Sequence, residues 1–142
     1  MTKYPLNDYL NALDKVCEAA GAQFRRAFDD SSGLEPAQIR DGLLGSVPFL
    51  VDEYGNAAGV LACEFYRRHH KECLGTDFNA ALAEVDFSGR LEASVRYAAG
   101  FLFDGRQEST REILANTIVS CVRETANRTI AINAVRENNG ER

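Results

Sequence analysis

Between Pro48 and His70 the chain reads PFLVDEYGNAAGVLACEFYRRHH, and its apolar positions recur every three or four residues rather than every two. Leu50, Val51, Tyr54, Ala57, Ala58, Leu61, Ala62, Phe65 and Tyr66 therefore share one stripe of a helix, since about 3.6 residues complete a turn. A strand needs two-residue alternation bounded by turn chemistry, and no segment of the 142 residues sustains it. The sequence is confined to an all-α fold, a bundle in which each stripe leaves water by packing against the others.

Three further segments carry the same signal. Leu6, Leu10, Leu13, Val16, Cys17, Ala20, Phe24 and Phe28 predict a first helix of about six turns, closed by the polar run Asp29–Gly33. Glu35-Pro36 opens a short helix over Pro36–Leu44, because proline suits a first turn. Gly45-Ser46-Val47-Pro48 is then expected to interrupt it, with Ser46 capping a long central helix from Pro48 to about Lys71. Leu74–Asp77 ends that helix, and Phe78–Phe87 has enough alanine for a helical turn without a clear pattern. Asp86 or Ser88 can cap a further helix with the stripe Leu91, Val95, Ala98, Phe101 and Leu102, ending at Asp104-Gly105. The last helix, with Ser109 or Thr110 reinforcing its start, carries Ile113, Leu114, Thr117, Ile118, Cys121, Val122, Thr125, Thr129, Ile132 and Val135. The whole reads as a single helical domain over 1–137, built on three long amphipathic helices with shorter connecting ones, and a polar tail over 138–142 that frays.

Composition narrows the function classes. A formal charge of -5 and a pI near 5.1 disfavour general attraction to nucleic acid or an anionic membrane. No apolar run reaches the roughly twenty residues that span a bilayer, and MTKYPLNDYL lacks a signal-peptide core, so the expected location is the cytoplasm of the producing cell. Cys17, Cys63, Cys73 and Cys121 are scattered without C-x-x-C spacing and read as reduced thiols, the first, second and fourth on or beside apolar stripes.

The most site-like cluster is Cys63, His69, His70 and Cys73, of which 63, 70 and 73 share about a quadrant of one helix. One helix cannot readily surround a tetrahedral ion, so a core cysteine beside solvated histidines is the simpler reading, and no metal or cofactor is expected. Arg67-Arg68-His69-His70-Lys71 could meet phosphate or an acidic partner, but cations in a helix's last turns also answer its negative end, as Asp52-Glu53 would near its start. Ser46 or Cys73 with His69 or His70, and the carboxylates Glu84 and Asp86, lie in no recognised catalytic turn, and no enzymatic activity is expected of the chain itself. Asn116, Thr125, Asn127, Thr129 and Asn133 are weak helix formers that could bond across helices, and the small residues of Gly55–Ala62 could let helices approach closely.

The order of three blocks adds a family. Leu43, Pro48, Leu50, Val51, Tyr54-Gly55, Ala57-Ala58, Leu61-Ala62 and Phe65-Tyr66 form the first; Val95-Arg96-Tyr97-Ala98 with Phe101 and Phe103 the second; Arg128-Thr129-Ile130 with Asn133 the third. Over roughly residues 40–136 the pattern resembles the helical region of MuF-like minor capsid, head-morphogenesis proteins of tailed actinobacterial phages. That resemblance implies a non-enzymatic structural role in head assembly, with portal or capsid proteins as partners, in the host cytoplasm and then the virion head. It transfers no catalytic residues, and the protease and toxin modules fused to some relatives have no counterpart in these blocks. The expected partner surface is Tyr54, Ala58, Phe65, Tyr66, Arg67 and Arg68, with a homo-oligomer also open. The alternative is a small cytoplasmic helical regulator or toxin-system partner. A nucleic-acid module using Arg67, Arg68, Lys71 and Arg96 is disfavoured by the net charge.

Overall fold

The computed structural model describes residues 5–31, 33–73 and 87–138, and all regular structure among them is helical. Four helices follow in chain order: α1 (Pro5–Asp30), α2 (Pro36–Cys73), α3 (Phe87–Phe103) and α4 (Gln107–Asn138). Residues 74–86, including Glu84 and the cap candidate Asp86, and 139–142 of the expected tail lie outside the described residues.

The expected break at Gly45–Pro48 does not occur. Pro48 sits inside α2, and Ser46, rather than capping a new helix, donates its hydroxyl to the Gly42 carbonyl at 2.9 Å. Proline removes one hydrogen bond and crowds the carbonyl four residues back, but Leu44 is exposed, so water can serve that carbonyl. Meanwhile Ile39, Leu43, Val47, Leu50 and Val51 continue one buried stripe through the proline, and this packing outweighs the local penalty. The start at Glu35-Pro36 is as read: the Glu35 amide donates to Gln38 Oε1 at 3.0 Å, a capping-box contact. The backbone instead leaves helical geometry at His69 (φ -131°, ψ 27°).

Direction follows from the contacts. Arg25 meets Glu112, Cys17 donates to the Val119 carbonyl at 3.8 Å and Arg123 reaches Asp14 at 2.6 Å, so α1 and α4 are antiparallel. Tyr54 donates to Gln23 while Tyr9 stacks on Phe65 at 4.6 Å, making α1 antiparallel to α2 as well. Among the described residues, helices α2 and α4 run parallel and share the most extensive interface, whereas α1 and α3 do not meet.

The α2–α4 seam is built on small residues. Gly55 stands opposite Thr125 and Gly59 opposite Thr129, and one turn on, Asn133 donates to Cys63 Sγ at 3.8 Å. Thr125, Thr129 and Asn133 each bond the carbonyl four residues back in α4, at 2.8, 2.9 and 3.0 Å. Their polar groups are thereby satisfied in their own helix, and the seam needs no donor from α2.

A tight turn joins α3 to α4. The Arg106 amide bonds the Phe101 carbonyl at 2.7 Å and the Gly105 amide bonds that of Leu102 at 3.1 Å, a Schellman cap with Gly105 at φ +78°. The Arg106 guanidinium lies 4.1 Å from the centre of the Phe101 ring, fixing the turn with a cation–π contact. Thr110 does not cap α4: fully buried, it donates to the Ala98 carbonyl at 2.8 Å and pins the two helices together. Thr110→Val, nearly isosteric, should lower stability by about 1–2 kcal/mol through the lost hydroxyl bond, read from the urea midpoint.

One hydrophobic cluster joins all four helices, with Phe24, Leu13, Leu102, Leu114, Ile118 and Ile130 almost fully enclosed. Leu10 and Ile132, expected in the stripes, are exposed, while Tyr9 and Ala126 are buried.

Candidate functional site

The six expected partner-surface residues do not form one surface. Ala58, Phe65 and Tyr66 are buried within the chain, and Tyr54 is half-buried against Gln23, because their stripe packs on α1 and α4. Arg67 and Arg68 remain outside, with side chains 72% and 71% exposed, and both reach Glu64, at 2.6 and 3.5 Å. This acid partly neutralises the basic turn. Asp52 and Glu53 do not serve a helix start, since α2 begins at Pro36, about four turns earlier.

Of the proposed metal cluster, Cys63 is exposed rather than core, and His69 packs its ring 5.4 Å from that of Phe65. The side chains of His70 and Cys73 lie outside the described residues. Among the described residues no three His, Cys, Asp or Glu side chains converge as metal ligands. Cys17 and Cys121 are buried, and burial pushes the Cys17 thiol up, away from the reactive thiolate.

An open cleft of about 350 Å³ lies where the N-terminal part of α1 meets the later part of α2. The Tyr9–Phe65–His69 stack forms its floor, and Asp8, Glu64 and Arg68 supply charges at its rim. Its described lining is an aromatic surface edged by charges of both signs. A second, more apolar cleft of about 250 Å³ lies between the end of α1 and the start of α2, lined by Phe24, Phe28, Leu34, Ile39 and Leu43.

Charge is organised along the opposite seam. Arg25 grips Glu112 through two bonds of 2.9 and 3.0 Å, while Arg111 bridges Glu112 at 2.7 Å and Asp29 at 2.9 Å, forming a four-member chain across α1 and α4. The Arg25 hydrogen bonds hold the Glu112 carboxyl below its ordinary value near 4.5. A carboxyl held low in the folded state stabilises above its unfolded pKa and loses that contribution as pH falls through the lowered value. Stability should therefore fall with acid below about pH 4.5, and Glu112→Gln should make that fall shallower in urea titrations across pH 2–7. Sequence reading missed this chain because i,i+1 and i,i+4 charges look like ordinary helix surface until the two helices are docked.

It also missed an exposed aromatic face on α3. Tyr97 and Phe103 are 66% and 57% exposed, and Tyr97 meets Phe101 edge-on at 5.1 Å. Their positions, off the stripe of Val95, Ala98 and Leu102, were the available signal.

With that geometry in place, comparison with known proteins gives a family. The model of the VG15 protein family matches residues 1–142. The chain belongs to the VG15 family. VG15 proteins are phage-encoded, which agrees with a phage origin at the level of the family. No curated protein matches the chain, and no solved structure does. Among the described residues, no helix of this VG15 protein is long and apolar enough to cross a membrane.

Proposed function

We propose that this VG15 protein is a non-enzymatic structural component of phage head assembly, working against portal or capsid proteins. The match of a phage-encoded family to residues 1–142 is the observation that carries the reading. The ordered helical blocks that resemble MuF-like head-morphogenesis proteins direct it toward the head. The packing is compatible: a single apolar cluster locks four helices, leaving the basic turn at Arg67 and Arg68 and the aromatic face of α3 to meet other subunits.

The test is affinity purification of the tagged chain from cells producing phage heads, with partners identified by mass spectrometry. Enrichment of portal or major capsid protein, reduced by reversing Arg67 and Arg68 to glutamate, is the expected result. Recovery of a toxin or repressor in their place would favour a regulatory partner and overturn the head-assembly reading.

A further inference from the structure

The side of α2 turned away from the bundle carries large apolar residues that nothing in the chain covers. Tyr54, Leu61 and Phe65 pack toward α1, and Gly55 and Gly59 toward α4. At 100° per residue these five span an arc of about 160°, and Val60 stands opposite its middle. Val60 is accordingly 64% exposed, and Phe49, eleven residues earlier and about 20° round, is 62% exposed. The neighbours of Val60 on this side, Asn56, Ala57 and Cys63, are exposed and short, so a second helix can come close there.

Seven residues before Val60 is Glu53 and seven after it is Arg67, both exposed. Seven residues make two turns to within about 20°, so both stay on the stripe of Val60. Their charges are unbalanced at home. Among the described residues Glu53 and its neighbour Asp52 meet no cation. Arg67 and Arg68, by contrast, share the single carboxylate of Glu64, at 2.6 and 3.5 Å. The stripe thus has acid in excess on one side of Val60 and base in excess on the other, at equal distances. Phe49 and Asn56 lack such flanks: the residues seven away are Gly42 and Asn56 for the first, Phe49 and Cys63 for the second.

When two identical helices pair antiparallel about a two-fold axis, the residue n places before the axis lies level with the residue n places after it on the other copy. The two turn to opposite flanks by the angle that n residues leave over from whole turns. At four or eight residues that angle is about 40° or 80° and the side chains pass each other; at seven it is about 20° and they meet. We propose that α2 pairs in this way with α2 of a second copy of this chain, with the axis at Val60. Val60 then packs on its own copy, and Glu53 meets the partner's Arg67 at both ends of the seam. Asp52 and Arg68, eight places from the axis, stay outside it. Glu64 lies on the Arg68 side of the stripe and keeps Arg68 when Arg67 turns to Glu53, an exposed pair of this kind being weak and readily exchanged. Helices α1 and α4 stand about 120° to either side of the axis direction and leave the approach open. Opposite charges at matched distances from one apolar residue are what a contact between identical copies requires, and a different partner would need neither the match nor both signs. The seam from Phe49 to Arg67 is about 27 Å long, which suits a weak, reversible dimer at the small end of specific interfaces. This inference does not rest on the head-assembly reading, since it requires no other phage protein.

Sedimentation equilibrium of the purified full chain tests it. The expected result is a monomer–dimer equilibrium with a Kd of about 1–50 µM, weakened about tenfold or more by either Glu53→Arg or Arg67→Glu. The double exchange E53R/R67E restores the pairs in reverse and should bring association back to within about threefold of the parent. Val60→Glu sets two carboxylates on the axis and should give monomers with unchanged far-UV circular dichroism, since the site is exposed. Cysteine cross-linking fixes the register, because only a residue on the axis meets its own copy. With Cys63 and Cys73 replaced by serine, Val60→Cys should form a disulfide-linked dimer under mild oxidation, and Phe49→Cys, about 33 Å from its own copy, should not. A parent chain that stays monomeric to about 500 µM would leave this face to a different protein and overturn the proposal. So would a dimer indifferent to Val60→Glu, charge reversals that the double exchange fails to repair, or cross-linking as ready at position 49 as at position 60.

Discussion

Truncating Phe24 to alanine should lower the stability of the bundle by about 3–5 kcal/mol, a large share of the roughly 5–15 kcal/mol that holds a domain of this size together. The ring is 1% exposed, tilts against Phe28 at a centroid distance of 6.0 Å, and borders the cleft between α1 and α2. Removing it leaves a gap beneath the cleft of about 250 Å³ that the helices cannot close without dragging Phe28 and Ile39 with them. Urea unfolding followed by circular dichroism would read the loss as a lower midpoint at unchanged slope. Phe24→Leu, which keeps most of the volume, should lose much less. A loss under about 1 kcal/mol for Phe24→Ala would mean that this end of the bundle is not packed as described.

At Gly55 two substitutions should move stability in opposite directions. A methyl group there would stand 3.5 Å from Thr125, an ordinary van der Waals distance, so Gly55→Ala fits. It should stabilise by about 0.5–1 kcal/mol, because alanine in a helix interior loses less backbone entropy than glycine. Gly55→Leu has nowhere to place its remaining carbons except into the α2–α4 seam, and should destabilise by about 1–3 kcal/mol or more as the helices separate. Paired thermal melts of the two variants measure the width of the seam directly. If both variants lower the melting temperature, the helices approach more closely than one methyl allows; if neither does, Thr125 does not face Gly55.

The stripes were readable in α1, α3 and the later part of α2 because amphipathicity is a property of sequence spacing alone. The same spacing also ran unbroken through Ile39, Leu43, Val47 and Leu50, yet the proline rule set a boundary there. Proline acts on one hydrogen bond, while the stripe acts on every turn, and the sum was larger. Asp52 and Glu53 then lost their place at a helix start as a direct result. The partner surface was harder to read: Phe65 and Tyr66 sit on the apolar stripe, and an apolar stripe is equally suited to an internal and an external partner until the other helices are placed. Tyr97 and Phe103 show the converse, since aromatic rings off the stripe face outward wherever the helix docks. Thr110 could not have been assigned, because its partner Ala98 lies across a turn whose geometry depends on Gly105.

Among the described residues helix α4 meets each of the other three, and α1 does not meet α3. The ribosome makes α4 after all three. An α1–α2 hairpin can form early, but α3 has only the rim of α2 to rest on until Ala115, Ile118 and Val122 emerge to fill the middle. The core therefore cannot be completed before α4 is made, and a nascent chain halted ahead of α4 exposes the apolar faces of three helices at once, the state in which chaperones and self-association compete with folding.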